Sequence, residues 1–589
     1  MSEETIVTDS FIPLIIKDIK NGFTYSKGKF LGRGGFACSY QITELSSNRD
    51  YAVKILDRKF LKEKNYMNKV IREINIQQNL DHPNIVRLYS HFKDSSNFYL
   101  VLELCSNNTL LELQERRKTI TIPEAKYFCK NIAEGIYYLH SRCIVHRDLK
   151  LGNLFLNADM KVKIGDFGLA AHLNDFKELR NSMCGTINYI APEILGKKGH
   201  SFEVDIWAFG CILYVLLVGK LPFEAFTKSD IFKKINSNNY ILPEELNHQA
   251  KSFIKSLLLP NPAERPSIEE ILKCSFLVDG YIPTHLPISC LAMRPRFPKK
   301  VSDQFLNKEN YQEYNYVPQL ENENINNRKK MYLTLEGVNL ILKQIHRLIS
   351  TNRKLISSYI MDNALHPQSA PVYYCTKWID FSYKYGFGYE LCDGSMGLMF
   401  NDQTHLICDN NMIKFQHIDK YGSEKHYMKS EFPKNLEKKI KIFEKYKTFM
   451  KNKLRVTIKD TPRDDSGISR LPIIVKWERD DIAIALYLSN GTLQVNFFKD
   501  HFKVIVCPYM KAISLIDKTT ELKTYKLNLL EIHGWDEIMD EKLKYLVKLL
   551  GKQTTFKRKF IDDDNEMFPI DNFHPTVLEK KIKIQNNHF

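Results

Sequence analysis

The sequence predicts an α+β chain in two parts: a bilobal domain with a small sheet lobe and a larger helical lobe, then two copies of a strand-rich sheet closed by a helix. Three observations carry this. A glycine-rich stretch, Phe30-Leu31-Gly32-Arg33-Gly34-Gly35-Phe36-Ala37, reads as strand, turn, strand and is followed by Tyr51-Ala52-Val53-Lys54 at the distance of the next strand but one. A polar loop, His146-Arg147-Asp148-Leu149-Lys150-Leu151-Gly152-Asn153, precedes Asp166-Phe167-Gly168 at short range. Leu391–Phe400 lines up with Leu488–Phe497, 97 residues later, which marks an internal duplication.

With 589 residues the chain is too long for one core, and about three or four domains are expected. Hydrophobic residues make up 43% and charged residues 26%, ordinary for a globular protein. The longest apolar run, Cys211–Val218, is too short to cross a bilayer, and residues 1–24 hold no basic-then-apolar leader, so neither membrane insertion nor secretion is expected. The 12 cysteines include no Cys-x-x-Cys pair, which argues against a zinc module or a disulfide scaffold and for a reducing intracellular compartment. A net charge of +16 suits acidic partners, though much of it is diffuse. No nucleic-acid-binding pattern of the usual kinds accompanies it, so phosphoproteins are favoured over nucleic acid.

Residues 1–24 read as a mobile tail. In the loop that follows, glycines let the backbone approach a phosphate, so Leu31, Gly32, Gly34, Gly35, Phe36, Ala37 and Ser39 are expected to cover a nucleotide. Lys54 ends an apolar strand, where an unpaired ammonium would be costly; Glu73, on the helix-like segment before His82-Pro83, is its expected partner. Phe98–Leu104 reads as a strand loosening into a hinge, with Leu102, Glu103 and Cys105 lining an adenine pocket.

The residue types in the polar loop fit phosphoryl transfer. Asn153 and Asp166 can hold Mg²⁺ against the phosphates of ATP, Asp148 can orient an attacking hydroxyl, and Lys150 can offset charge on the moving group. Together these motifs match the protein-kinase signature set. Beyond Asp166, Ser182 is the expected activation phosphosite, with Arg147 as the guanidinium that would receive its phosphate. Thr186 is expected as a structural hydroxyl near Asp148 and Lys150, Glu193 as a partner of Arg265, and Asp205 as a brace beneath the catalytic loop.

Residues 278–330 turn polar and read as a flexible linker. Val338, Leu342, Ile345 and Ile349 then recur at helical spacing within 331–370, a helix that needs a neighbour to dock on, with the next domain as candidate. In the duplicated half, Asp393-Gly394 and Asn490-Gly491 predict two-residue hairpin turns. Each copy ends in an amphipathic helix, with Leu436, Ile440, Phe443, Met450 and Leu454 in the first and Ile538, Leu543, Leu546 and Leu550 in the second. Residues 552–589 read as a solvated charged tail.

Several of these stretches resemble the polo-like kinases: Gly34-Gly35-Phe36-Ala37, Leu102-Glu103-Leu104-Cys105, His146–Leu156, Ile164–Ala170, Cys184-Gly185-Thr186, Gly199–Asp205 and Gly280-Tyr281-Ile282-Pro283. The resemblance spans a kinase domain at 25–277 and implies tandem polo boxes at 374–452 and 473–551, each a six-stranded antiparallel sheet plus helix. It further implies Ser/Thr specificity with acidic residues or Asn near the target hydroxyl. A phosphopeptide of the Ser-phosphoSer-Pro or Ser-phosphoThr-Pro type would bind between the boxes, with His501 and Lys503 on the phosphate and Trp378 over the preceding residue. A monomer with intramolecular kinase–polo-box contact is implied, placed in cytoplasm and nucleus with centrosome, spindle-pole or kinetochore targeting. Ser182 and Ser39 depart from the family's usual activation Thr and glycine-loop Cys. Two other classes compete: an inactive scaffold, disfavoured because Lys54, Glu73, Asp148, Lys150, Asn153 and Asp166 are all present, and a kinase whose second half only oligomerises.

Overall fold

The computed structural model describes residues 12–34, 37–63, 66–173, 185–196, 199–297, 329–350, 356–453, 469–519 and 521–554. The chain forms two compact units, Met1–Glu313 and Tyr314–Phe589. None of the helices is long and apolar enough to cross a membrane, among the described residues.

The first unit opens with an antiparallel sheet of strands β1 (Ile15–Asp18), β2 (Phe23–Gly34), β3 (Ala37–Glu44), β4 (Asp50–Asp57), β5 (Leu88–Lys93) and β6 (Asn97–Leu102), in the order β1-β2-β3-β4-β6-β5. Side chains alternate across it. Tyr25, Cys38, Tyr40, Ile42, Val53 and Tyr99 fill one face, while Ala37, Leu56 and Leu100 on the other meet Val70 and Ile74 of the helix Met67–Gln77. Order reaches into the stretch expected to be a tail, because β1 pairs with β2 from Ile15↔Ser26 to Asp18↔Phe23 and Ile12 and Ile16 are buried in the first of these clusters.

In the helical lobe, Ile122–His140 starts with a capping box between Thr121 and Glu124. Glu203–Val218 is buried from Val204 to Leu216 and stops at Gly219, whose φ of 85° suits a glycine. Two short ladders, β7 (Ile144–Val145) with β10 (Ala171–His172) and β8 (Leu154–Leu156) with β9 (Val162–Ile164), bracket the polar loop and Asp166.

The expected linker 278–330 is not free at its start. Leu286, Ile288, Cys290 and Leu291 are buried, and the Arg117 guanidinium donates to the Met293 carbonyl at 2.7 Å and to Cys290 O while paired with buried Glu124 at 3.0 Å. Burying those apolar side chains outweighs the chain freedom lost there. Arg117→Met is expected to loosen the segment, read as faster tryptic cleavage at Arg294 and Arg296. Unchanged cleavage would count against this clamp.

The second unit contains the two predicted modules. Strands β11 (Cys375–Phe381), β12 (Gly386–Leu391), β13 (Met396–Phe400), β14 (His405–Cys408), β15 (Lys414–Ile418) and β16 (Glu424–Met428) form an antiparallel meander packed on the helix Glu437–Lys453. Strands β17 (Ile474–Arg479), β18 (Ala483–Leu488), β19 (Leu493–Phe497), β20 (Lys503–Cys507), β21 (Ala512–Ile516) and β22 (Leu522–Lys526) repeat it, packed on Glu537–Thr554.

The hairpins stand where predicted, but the turns are three-residue loops. Leu391 and Ser395 pair around the first, Leu488 and Thr492 around the second, and in each only the glycine takes a positive φ, 82° at Gly394 and 83° at Gly491. Asp393 and Asn490 keep negative φ because their side chains accept the Ser395 and Thr492 N–H groups.

Leu543, Leu546 and Leu550 are buried as expected, each contributing roughly 1.5–3 kcal/mol. Ile538 is exposed, and Met539 takes the core position one residue on. Leu454 lies outside the described residues. The helix Lys329–Ser350 docks on the second module and not on the adjacent first one: Ile341, Ile345 and Leu348 are buried beside Met539, Leu543 and Leu546.

Candidate functional site

Catalytic-type side chains converge around Asp148. Its Oδ2 takes the Lys150 ammonium at 2.7 Å and the Asn153 amide at 3.1 Å, and its Oδ1 accepts the Thr186 hydroxyl at 2.7 Å. Lys150 also reaches Thr186 Oγ1 at 3.0 Å. Asn153 donates through Nδ2, again to the Asp148 carbonyl at 2.8 Å, which leaves its Oδ1 as the atom able to meet a cation.

The loop is held from below by Asp205, a fully buried carboxylate that accepts His146 N–H and Arg147 N–H, both at 2.9 Å, and meets His140 Nε2 at 3.0 Å. These bonds fix Arg147 at a φ of 66°, a left-handed conformation a non-glycine residue rarely adopts. His146 is fixed too: its Nδ1 accepts Asp148 N–H at 3.3 Å, so Nε2 carries the proton toward Gly165 O at 3.1 Å. Glu193 and Arg265 form the expected buried ion pair at 2.7 Å.

Lys54 Nζ lies 2.6 Å from Glu73 and 3.7 Å from Asp166. Burial works against the ammonium, but the two carboxylates outweigh it and raise the Lys54 pKa. Burial alone would raise Asp166. The charges of Lys54 and Lys150 and the Gly168 N–H reverse this and hold it below the usual carboxylate value, so it is ionised and fit for a hard cation.

The nucleotide-facing set is brought together in part. Ser39 pairs with Lys54 across β3 and β4, and Gly32 with Ser39 across β2 and β3. A Cβ at Gly34 would meet nothing within 4 Å, so the glycine leaves an open face that a phosphate can approach. Ala37 faces the core beside Leu56 and Val70, with Leu102 partly buried against the same cluster. Leu31 is half-buried on β2. The Glu103 carboxylate is taken by Lys163 at 2.7 Å and its N–H by the Arg87 carbonyl at 2.9 Å, so its own carbonyl is what remains for a ligand. Burial, then Glu103, pushes the Cys105 thiol up to about 12, keeping it protonated. Gly35, Phe36, Ser182 and Cys184 lie outside the described residues.

In the second unit the modules meet along a seam that holds two of the three expected phosphopeptide residues, Trp378 and Lys503. Trp378, on β11, is buried, with Phe387 at 5.9 Å, Phe498 of the second module at 6.5 Å and the Arg479 guanidinium 5.8 Å from its ring. Lys503 Nζ crosses to the Thr376 carbonyl at 3.0 Å, on the residue where a β-bulge interrupts β11. Burial lowers the Lys503 pKa, a charge short of counter-ions. His501 is exposed in the loop before β20 at a φ of 60°, so it does not alternate with Lys503 along a strand. Sequence reasoning missed Gln494, whose buried amide exchanges two 2.8 Å hydrogen bonds with Cys375 across the seam. It also missed Arg479, His140 and Lys163, single polar residues in stretches with no motif to flag them.

Compared with known families, residues 25–277 match the protein kinase domain, and residues 383–440 and 480–543 match the POLO box duplicated region. The chain is 41% identical over 562 residues to serine/threonine-protein kinase PLK1 of Xenopus laevis, covering 93% of each. It is 38% identical over 559 residues to serine/threonine-protein kinase polo of Drosophila melanogaster, covering 92% of this chain and 97% of that one. Against serine/threonine-protein kinase plk-1 of Caenorhabditis elegans it is 38% identical over 574 residues, covering 92% and 88%.

Proposed function

The chain belongs to the polo-like kinases, serine/threonine protein kinases with a polo-box region, and from that membership we propose an ATP- and Mg²⁺-dependent enzyme directed to its substrates by phosphopeptides. The observation that carries the catalytic part is the convergence of Lys150, Asn153 and Thr186 on Asp148, with Asp166 beside Lys54. Lys54, held by Glu73, binds the α- and β-phosphates of ATP. Mg²⁺, held by Asp166 and the Asn153 oxygen, would neutralise charge on the phosphates. Asp148 orients the substrate hydroxyl and receives its proton as the new O–P bond forms and the bond to the ADP oxygen breaks, while Lys150 offsets charge on the moving phosphoryl group. Acidic residues or Asn near the target hydroxyl mark the proposed substrates, and phosphate on Ser182, paired with Arg147, activates.

The polo boxes take Ser-phosphoSer-Pro and Ser-phosphoThr-Pro peptides, with Lys503 and His501 on the phosphate and Trp378 over the residue before it. The half-buried, under-compensated Lys503, its ammonium on the carbonyl of Thr376 two residues before Trp378, supports this, since a dianion favours clustered cationic donors. Fluorescence polarisation tests it. Phosphorylated peptides should bind more tightly than unphosphorylated ones, and His501→Ala with Lys503→Met should abolish the difference. Equal affinities in the unsubstituted chain would end the reading and favour a purely oligomerising role.

A mitotic role at centrosomes, spindle poles or kinetochores belongs to the same proposal, as does a monomer in which the boxes restrain the kinase until a phosphopeptide binds. Such coupling is reciprocal, so phosphorylation of Ser182 should tighten peptide binding.

A further inference from the structure

The loop that presents His501 is tied to the C-terminal helix of the second module by a buried ammonium. Lys542, on Glu537–Thr554, is 1% exposed, with its Nζ 4.1 Å from the Phe497 ring centre and 5.7 Å from that of Phe502. A lysine buried among aromatic rings needs a counter-charge, and the Asp500 carboxylate supplies it through Oδ2, with exposed Glu541 further off at 3.4 Å. Asp500 in turn accepts Phe502 N–H through Oδ1 at 3.1 Å, and Phe497 N–H closes the loop onto Phe502 O at 2.8 Å. His501 sits inside that closed loop in its left-handed conformation, and Lys503 follows at the first position of β20. One turn along the helix Tyr545 stacks edge-on against Phe497 at 5.0 Å and donates to Asp480 at 3.0 Å.

We propose that Lys542 is a positioning residue for phosphopeptide recognition: by neutralising Asp500 and fixing the 498–502 loop, it lets His501 and Lys503 meet a phosphate dianion without a bare carboxylate beside them. This rests on the phosphopeptide reading of the seam. Lys542 cannot touch the phosphate itself, because its ammonium is enclosed by Phe497, Phe502 and Asp500. Two effects follow from its loss, a loop no longer held in its strained form and an uncompensated negative charge next to the cationic pair.

Three variants of the intact chain separate these effects: Lys542→Met, Lys542→Arg, and Asp500→Asn with Lys542→Met. Lys542→Met should weaken phosphopeptide binding by roughly tenfold, the scale of coupling inside one charge network, and leave the unphosphorylated peptide unchanged. Lys542→Arg should restore affinity. The double variant should recover much of it, because the Asp500→Asn change keeps an acceptor for Phe502 N–H and removes the stray charge. Hydrogen exchange over 498–502 should be faster in Lys542→Met, slow again in Lys542→Arg, and still faster than in the unsubstituted chain in the double variant, which keeps an acceptor for Phe502 N–H but has no tie to the helix. The double variant and the Arg variant keep the test alive if Lys542→Met alone does not fold: both must then bind phosphopeptide near the unsubstituted level.

The proposal falls if Lys542→Met binds phosphopeptide normally, if both peptides weaken alike, or if the double variant is no better than the single one. If the unsubstituted chain does not prefer the phosphorylated peptide, the phosphate reading fails and the positioning role with it. The exchange measurement then shows separately whether Lys542 holds the loop.

Discussion

Asp148→Asn is expected to lower phosphoryl transfer to casein by about 10²–10⁴-fold, with the KM for ATP little changed. The substitution is close to isosteric. Oδ1 can still accept the Thr186 hydroxyl, but the atom facing Lys150 and Asn153 becomes a donor among donors, and no carboxylate remains to take the acceptor proton. ATP contacts through Lys54 and Asp166 are separate from it, which is why the loss should fall on kcat. Steady-state assays at saturating ATP decide the matter. Undiminished turnover would place the proton acceptor elsewhere and reopen the question of what the polar loop does. A scaffold without activity would show no difference between the two proteins because neither would turn over.

The largest effect on stability is expected at Asp205. Replacing it with Asn leaves the backbone N–H groups of His146 and Arg147 and the His140 ring competing for one oxygen inside a buried site, a cost of about 3–5 kcal/mol. Amide hydrogen exchange at 144–149 should rise sharply, and activity should fall because Arg147 loses what holds its left-handed backbone. The pH dependence has a definite sign. Burial would raise the Asp205 pKa, but the His140 bond and charge and the His146 backbone N–H hold it below the usual carboxylate value. Its stabilisation is therefore complete above about pH 4 and is lost as pH falls through the depressed folded value. The Asn variant should lack this acid-labile part, giving a flatter stability profile below about pH 4. Identical acid profiles would mean that Asp205 is not the group responsible.

Legibility in the sequence followed the range of the interactions. The catalytic loop, Lys54 with Glu73, Glu193 with Arg265 and the two hairpins are set by short patterns or by charges that need a partner, and residue types reveal both. The turn type at Gly394 and Gly491 was not legible, because Asp or Asn before Gly suits both a two-residue turn and a three-residue loop, and the cap to Ser395 or Thr492 decides between them. The cap helix shows another limit: its apolar spacing announced a docking face, but only tertiary packing selected the second module over the nearer one. Lys542 was invisible for a related reason. On a helix with many lysines its position looks solvated until Phe497, Phe502 and Asp500 close around it.

Strand β1 bears on how the enzyme is handled at the bench. A recombinant fragment trimmed to the 25–277 stretch that resembles other kinases would lose Ile12 and Ile16 from beneath the sheet and bare the backbone of Tyr25, Ser26 and Lys27 at the start of β2. Bare ladders of that kind recruit other chains, so such a fragment should aggregate where one beginning at residue 12 or earlier stays dispersed.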